Sequence, residues 1–367
     1  MTSLTDPVTA AELRRAFLAH LDGDLAAAEA VYRRALADPG MAPAAHRHLI
    51  GLLEAQHRWE AAADECRAAL VREPGRADLE TNLATLLLGL GRYAEAWPLL
   101  EARATLRTGS VRPDLPYPEW DGRPVGSLTI WDEQGFGDAI QHSRFIPALV
   151  ARGIAVTLVV RPELCALLSG LGAAVIPAEG RLRVPLADAW AMMGSLPGRL
   201  GVTLESLAGG QPYLAPAPDR RAKWAGRIGP SARIGVVARG KAVHANDAQR
   251  SLPYEGADFL HSLPGAVSLE PEGPLPLDDF ADTAAVIEQL DLVIAVDTAV
   301  AHLAGAIGKP CWVLLPYLGP DWRWLYDGRT DSPWYPSLRI YRQPAPRDWA
   351  SVLRAVAKDL PAFFGQA

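Results

Sequence analysis

Two aspartates in this chain stand where an α/β protein can do chemistry. Asp297 follows the apolar run Leu292–Val296 and precedes Thr298, after which Val300, Leu303, Ala304 and Ile307 share a helical face. So short a run reads as a buried strand, and Gly308 and Pro310 end the helix. Cys311–Leu315 supplies a second strand, so the stretch is a strand–helix–strand unit of a parallel sheet. Ligands of open α/β sheets bind beyond the carboxyl ends of the strands. There Thr298 is placed to cap the helix, and the N–H groups behind it suit a phosphate, with a dipole contribution of about 0.3–1 kcal/mol. Asp297 itself would repel a phosphate and better suits a sugar hydroxyl or a cation. The competing reading is that Asp-Thr only caps the helix.

The second aspartate is Asp138. The short strand Ser127–Trp131 runs into Asp132-Glu133-Gln134-Gly135-Phe136-Gly137-Asp138, and apolar Ile140, Phe145, Ala148 and Leu149 fit a helix from 139 to 150. Glycines in such a turn allow positive φ and close approach of a ligand to the backbone. An acid closing the turn argues against a simple phosphate cradle and fits the handling of a hydroxyl. Asp138 as a plain helix cap is the alternative, and Glu133 and His142 are its rivals as a base. Gln134, Gly135, Gly137 and Gln141 are the neighbours that would line a site here. A third strand, 233–237, leads into Ala238-Arg239-Gly240-Lys241 and a polar loop holding His244, Asn246 and Arg250. Arg239 and Lys241 at a strand's end suit a pyrophosphate, against the plainer reading of a solvated loop. Trp322, in the aromatic run Gly319-Pro320-Asp321-Trp322-Arg323-Trp324, completes the candidate set.

These residues need two α/β units to hold them, and the chain has room for both. At 367 residues it should hold two or three domains, and 49% hydrophobic residues can bury a sizeable core. A Pro-rich stretch at 211–218 reads as a hinge between the units, implying a cleft lined by strand-end loops from each. The net charge of −6 gives no footprint for nucleic acid. No run of about 18 apolar residues is present, so no membrane span is expected. The first fifteen residues lack a basic stretch followed by an apolar core, and the three cysteines, Cys66, Cys165 and Cys311, are scattered. A cytoplasmic protein with reduced cysteines is expected. The acids Asp278, Asp279 and Asp282 open a helix as ordinary capping, and no metal site is expected from them.

Residues 8 to about 106 are different: helical, rich in Ala, Leu, Arg and Glu. Leu25, Trp59 and Tyr93 recur at a 34-residue step, as do Ala28, Ala62 and Ala96. That period of helix–turn–helix pairs resembles a tetratricopeptide (TPR) array of about three repeats. Such stacks present a concave surface that often holds a peptide; a spacer or dimerisation face is the other reading. A linker, 107–124, dense in Pro, Gly and Asp, follows, with Trp120-Asp121-Gly122 available to dock on the next domain.

The stretch VDTAVAHLAGAIGKPCWVLLP, with DWRW and SPWYP behind it, resembles TPR-bearing bacterial glycosyltransferases related to glycosyltransferase family 9, the heptosyltransferase group. WDEQGFGDAIQHSRF is similar to their Gly-x-Gly-Asp turn, and HANDAQRSLP to their loop after the first strand of the second half. The resemblance covers roughly residues 115–350. It implies a GT-B fold: TPR repeats over 1–108, an acceptor-side Rossmann-like half over 109–213 and a nucleotide-sugar-binding half over 214–367. It also implies a nucleotide diphosphate sugar as substrate, no cofactor and no metal. Asp138 matches the family's proposed catalytic base, and Asp297, Thr298 and His302 match its donor-binding motif. Where many relatives carry Trp-x-Gly-Asn, this chain has Ala238-Arg239-Gly240-Lys241, which leaves Arg239 or Lys241 to supply the leaving-group charge. Expected is an inverting transfer to an acceptor hydroxyl, with the repeats recruiting a protein acceptor or partner; a homo-oligomer is left open. The alternative is a TPR scaffold whose glycosyltransferase-like part is silent.

Overall fold

The computed structural model describes residues 8–106, 112–207, 210–241 and 246–365. The chain divides into two compact units: Met1–Arg107 with Leu325–Asp327, and Thr108–Trp324 with Gly328–Ala367.

The first unit is built of helical hairpins. Helices α1 (Ala10–Leu21) and α2 (Leu25–Ala35) form one, α3 (Ala42–Ala55) and α4 (Trp59–Arg72) the next, and α5 (Ala77–Gly89) and α6 (Tyr93–Leu100) the third. Thr9 opens α1 with a reciprocal cap: the Glu12 N–H donates to Thr9 Oγ1 at 3.2 Å and the Thr9 N–H to Glu12 Oε2 at 2.8 Å. The second helix of each hairpin starts at Leu25, Trp59 or Tyr93, the positions of the 34-residue step. Ala28, Ala62 and Ala96 are fully buried, where a larger side chain would push the helices apart. Each hairpin turn needs a left-handed residue, supplied in turn by Gly23, His57 and Gly91, again 34 apart. Only the middle turn departs from glycine, and histidine is among the side chains that tolerate that conformation. Tyr326 also belongs to this unit. Its N–H donates to the Gly89 carbonyl at 2.8 Å, and its ring stacks on Trp59 with centroids 4.0 Å apart. A Cβ on Gly89 would fall inside that ring, so the glycine makes the seat.

The second unit holds two parallel sheets. The first is ordered β3-β2-β1-β4, from β1 (Ser127–Trp131), β2 (Ala155–Val160), β3 (Ala174–Pro177) and β4 (Ala189–Met192). Its helices are α7 (Phe136–His142), α8 (Ile146–Ala151), α9 (Pro162–Leu168) and the single turn α10 (Leu196–Arg199). The second sheet is ordered β6-β5-β7-β8-β9, from β5 (Ile234–Val237), β6 (Ala266–Ser268), β7 (Leu292–Val296), β8 (Cys311–Leu315) and β9 (Leu338–Arg342). Around it lie α11 (Pro218–Trp224), α12 (Asp247–Arg250), α13 (Tyr254–His261), α14 (Phe280–Gln289), α15 (Ala299–Ala306) and α16 (Trp349–Gly365). These are the two Rossmann-like halves that the resemblance implied. Strands β7 and β8 are buried at every position, as continuous apolar runs covered on both faces must be. On one face Ile294, Val296, Trp312 and Leu314 pack with Trp349, Val352 and Val356 of the closing helix. Strand order reverses at β1/β4 and at β5/β7, the switch points where such sheets open a crevice. Asp138 follows β1, Asp297 follows β7, and Arg239 and Lys241 follow β5.

Several details differ from the expectation. The helix expected over 139–150 starts at Phe136 and breaks at a 3-10 turn, Ser143–Phe145, ahead of Pro147. Gly135 is its N-cap, so Asp138 sits inside the first turn rather than before it. Trp120, by contrast, docks on the first sheet as expected: its N–H donates to the Trp190 carbonyl at 2.6 Å and its indole to the Arg123 carbonyl at 2.7 Å. Asp278, Asp279 and Asp282 do more than cap. Arg220 and Lys223 of α11 reach all three at 2.6–2.9 Å and tie α11 to α14. No described helix is long and apolar enough to cross a membrane.

Candidate active site

The site begins at the end of β1. The backbone turns through Gln134, an exposed residue with φ of +61°, so the left-handed position falls on a glutamine and not on either glycine. The glycines serve another purpose. Asp138 folds back and its Oδ2 accepts the Gly135 N–H at 2.7 Å; a Cβ on Gly135 would sit 2.8 Å from that oxygen. A Cβ on Gly137 would sit 2.7 Å from His302 Cδ2 and 3.5 Å from Ala299 Cα. Gly137 is thus a seat for α15, which α7 approaches closely.

Strand β7 delivers the facing turn. Thr298 takes the extended backbone of an N-cap, with φ −141° and ψ 169°, but its hydroxyl makes no capping bond and, although the oxygen is buried, has no partner among the described residues. Sequence reasoning expected a working cap here. Asp297 offers its carbonyl to Arg250 Nη1 at 2.9 Å. His302, one helical turn on, is buried; its Nδ1 lies 3.1 Å from the Tyr335 hydroxyl and its ring stacks on Trp324 at 5.3 Å.

Arg323 joins the two turns. It lies on the 3-10 turn Trp322–Trp324, buried, over the Trp322 ring at 4.3 Å. Its Nε donates to Gln141 Oε1, its Nη2 to Asp138 Oδ1, and its Nη1 to both Asp321 oxygens at 3.0 and 2.9 Å. Every guanidinium nitrogen is thus engaged, each with a different side chain, as a buried arginine requires. Burial works against the charge, but Asp321 and Asp138 raise its pKa above the ordinary value. The carboxylates respond differently. Burial pushes Asp138 up against the opposing pull of Arg323. Asp297 is pushed up to about 7, by burial first and then by the nearby Asp321 charge. Burial would raise Asp321 too, yet the Arg323 contacts hold it below the usual range. Burial, with Arg323 adding to it, drives His302 down to about 3, so its ring is neutral.

The other candidates fall around this cluster. Lys241 is exposed, with Nζ 5.5 Å from the ring centre of Phe136 at the start of α7. Arg239 turns away: its Nη1 donates to the Leu252 carbonyl at 2.7 Å and its guanidinium lies over Tyr254. Arg250 packs so closely on Gly240 that a Cβ there would meet it at 2.5 Å. Asn246 donates to the Gly319 carbonyl at 2.8 Å. Trp322 is buried beneath Arg323 and meets Trp334 edge-on, so it supports the site rather than lining it. Of the rival bases, Glu133 is buried and accepts the Gly194 N–H at 2.9 Å, and His142 is buried too, whereas the Asp138 side chain is 22% exposed. His244 lies outside the described residues. Among the described residues no group of three or more His, Cys, Asp or Glu is arranged to hold a metal ion.

No protein-family model matches the chain. Among curated proteins it is 28% identical over 356 residues to Protein FlbA of Caulobacter vibrioides, an alignment covering 83% of this chain and 59% of that protein. The chain thus spans about three-fifths of that relative's length. Among solved structures it is similar to a glycosyl transferase family 9 protein of Veillonella parvula, with 13% identity, TM-score 0.44, and coverage of 65% of this chain and 91% of that one. It is also similar to the ADP-heptose LPS heptosyltransferase II of E. coli, at 11% identity and TM-score 0.40 over 62% of this chain and 98% of that one. A mutant O-GlcNAc transferase of Thermobaculum terrenum, at 16% identity and TM-score 0.24, covers 85% of this chain and 82% of its own. At such scores function is to be read from the site.

Two arginines were missed by sequence reasoning. Arg323 was passed over inside an aromatic run, although an arginine between two tryptophans, with an aspartate two residues before it, is the pattern of a buried and therefore paired guanidinium. Arg144 gave less warning. Its guanidinium lies 5.0 Å from the ring centres of each of Tyr213, Trp334 and Tyr335 and donates to the Trp334 carbonyl at 2.7 Å. It ties the first half to the SPWYP segment of the second through contacts that no local spacing announces.

Proposed function

We propose that this chain is a metal-independent glycosyltransferase that moves a sugar from a nucleotide diphosphate donor to an acceptor hydroxyl with inversion. One observation carries the reading: Asp138, the partly exposed carboxylate among the three candidate bases, stands at the end of β1 where α7 meets the N-terminal turn of α15. In this reading Asp138 takes the acceptor's proton as the acceptor oxygen bonds to the anomeric carbon. The bond from that carbon to the phosphate oxygen breaks, and the diphosphate leaves with the electron pair. The first N–H groups of α15, with Arg250 and Lys241 at the same end of the sheet, receive its charge. His302 is neutral there and acts as a hydrogen-bonding and packing group. The helical unit is read as the part that recruits a polypeptide acceptor or partner.

The second reading, a silent scaffold, has its own support. Both oxygens of Asp138 are already engaged, one by Arg323 and one by Gly135, as they would be in a purely structural ion pair. A panel of nucleotide diphosphate sugars, read by released diphosphate and by melting temperature, separates the two. A donor at 100 times its Kd should stabilise the fold by about 2.7 kcal/mol, and release should depend on Asp138. Absence of both signals across the common nucleotides would favour the scaffold.

A further inference from the structure

We propose that Arg323 is the positioning residue of this site: it holds the Asp138 carboxylate, as the anion, in the orientation from which it takes the acceptor's proton. This rests on the reading of Asp138 as the base. The geometry is that of a set clamp. Asp321 fixes Nη1 with both of its oxygens, Gln141 fixes Nε, and the remaining nitrogen, Nη2, grips Asp138 Oδ1. Trp322 packs against the guanidinium, whose carbon lies 4.3 Å from the ring centre. Asp138 Oδ2 is held by the Gly135 N–H, so the carboxylate is fixed at two points while its side chain stays partly exposed. A side chain 22% exposed beside one 7% exposed is a base at an opening backed by a buried cation.

The charged groups around Asp138 are few and their directions are known. Arg323 favours the anion. Asp321 from the same turn, and Glu133 and Asp132 from the β1–α7 turn, disfavour it. Arg161 offsets Asp132 through a two-point bond at 2.6 and 3.0 Å. From α15 comes only the neutral His302, with Asp297 just before it. Arg323 is thus the cation in contact with the base, and Asp321 is the group that competes for it.

The test uses two substitutions of opposite sign. Turnover requires the Asp138 anion, so it fails as pH falls through the pKa of Asp138. Arg323→Met removes the cation, and the acid limb of kcat/KM should move to higher pH by about 1–3 pH units, with partial recovery of rate above it. Asp321→Asn removes the competing anion, and the limb should move to lower pH. Arg323→Lys should restore the limb's position but not the full rate, because a lysine cannot fill the fork. A guanidinium that merely held the fold would lower the rate equally at every pH, and that result would overturn the proposal. Titration of the Asp138 carboxyl by carbon-13 NMR in the unliganded chain reads the same shifts without turnover. Opposite shifts in the two variants support the clamp even if no donor is found. Unmoved midpoints in an enzyme that still depends on Asp138 would sink the clamp alone. Where Arg323→Met does not fold, Asp321→Asn and Arg323→Lys carry the test.

Discussion

The β1–α7 turn and the β7–α15 turn both end a buried parallel strand with an aspartate at the start of a helix. Their aspartates nevertheless live in different fields. Asp138 points back into its own turn, caps Gly135 and is gripped by Arg323. Asp297 lies beside another carboxylate, Asp321, which holds the arginine more firmly, and is pushed up to about 7. Pairs of acids whose surroundings drive them apart are how a single fold assigns different tasks to the same side chain. Burial pushes both carboxyls up and Arg323 opposes it at both; what differs is contact, for Arg323 bonds Asp138 directly whereas the Asp321 charge adds to the rise of Asp297. Under the proposed function Asp138 is the group that accepts a proton and Asp297 the one that holds a hydroxyl.

The strongest way to break the comparison is to neutralise the first aspartate. Asp138→Asn keeps the size and most of the hydrogen bonding but cannot take a proton, so turnover should fall by about 10²–10⁴ with donor affinity little changed. Glu133→Gln and His142→Ala should not reproduce that loss of rate at constant donor affinity, since both side chains are buried in the first half. If either did so while Asp138→Asn stayed active, the base has been misassigned.

A smaller effect is expected where the two turns meet. Alanine in place of a helical glycine ordinarily stabilises by roughly 0.5–1 kcal/mol. At Gly137 the new methyl would press on His302, whose ring is held between Trp324 and Tyr335. Overpacking of this kind costs about 1–3 kcal/mol, so Gly137→Ala should lower the urea midpoint. A higher midpoint would mean that α7 and α15 are not in close contact in solution.

That contact shows what could and could not be read from the sequence. The strands β1, β7 and β8 were legible because short apolar runs bounded by turn residues have few other interpretations, and the 34-residue step located the hairpins through Ala28, Ala62 and Ala96. Asp138 and Asp297 were visible as acids at strand ends. Their surroundings were not, because Arg323, more than 180 residues from Asp138, comes close only once both halves have folded. The glycines hide a second requirement for a related reason. Gly135 and Gly137 suggest room for a ligand beside the backbone, and in the fold they also leave space for Asp138 Oδ2 and His302. A sequence shows that a position must be small without showing what occupies the space.

The second aspartate can be tested through stability. Its folded pKa lies above the ordinary 3.8 of an aspartate, so the folded chain binds a proton that the unfolded chain releases. Stability from this group is therefore present at low pH and declines as pH rises from about 4 to about 7, with no further loss above. Asp297→Asn carries no charge at any pH, and its melting temperature should fall less than that of the parent between pH 5 and pH 8. An unchanged fall would show that Asp297 is ionised throughout this range, as Asp138 is read to be at neutral pH, and the contrast between the turns would lose one side.

The smallest effect is expected at Thr298, and its smallness is informative. Replacing a working N-cap threonine costs about 0.5–2 kcal/mol. The Thr298 hydroxyl makes no such bond and is buried without a partner among the described residues. Exchanging an unsatisfied buried hydroxyl for a methyl of the same shape is nearly neutral or stabilising. Thr298→Val should therefore change the unfolding free energy by less than about 0.5 kcal/mol, where Thr9→Val at the bonded cap of α1 should show a cap's full cost. If the hydroxyl is kept for a ligand, the same substitution should weaken binding of a nucleoside diphosphate, measured by calorimetry, while stability stays level. A loss of stability equal to that at Thr9, with binding unchanged, would return Thr298 to the role of an ordinary cap and move the donor away from α15.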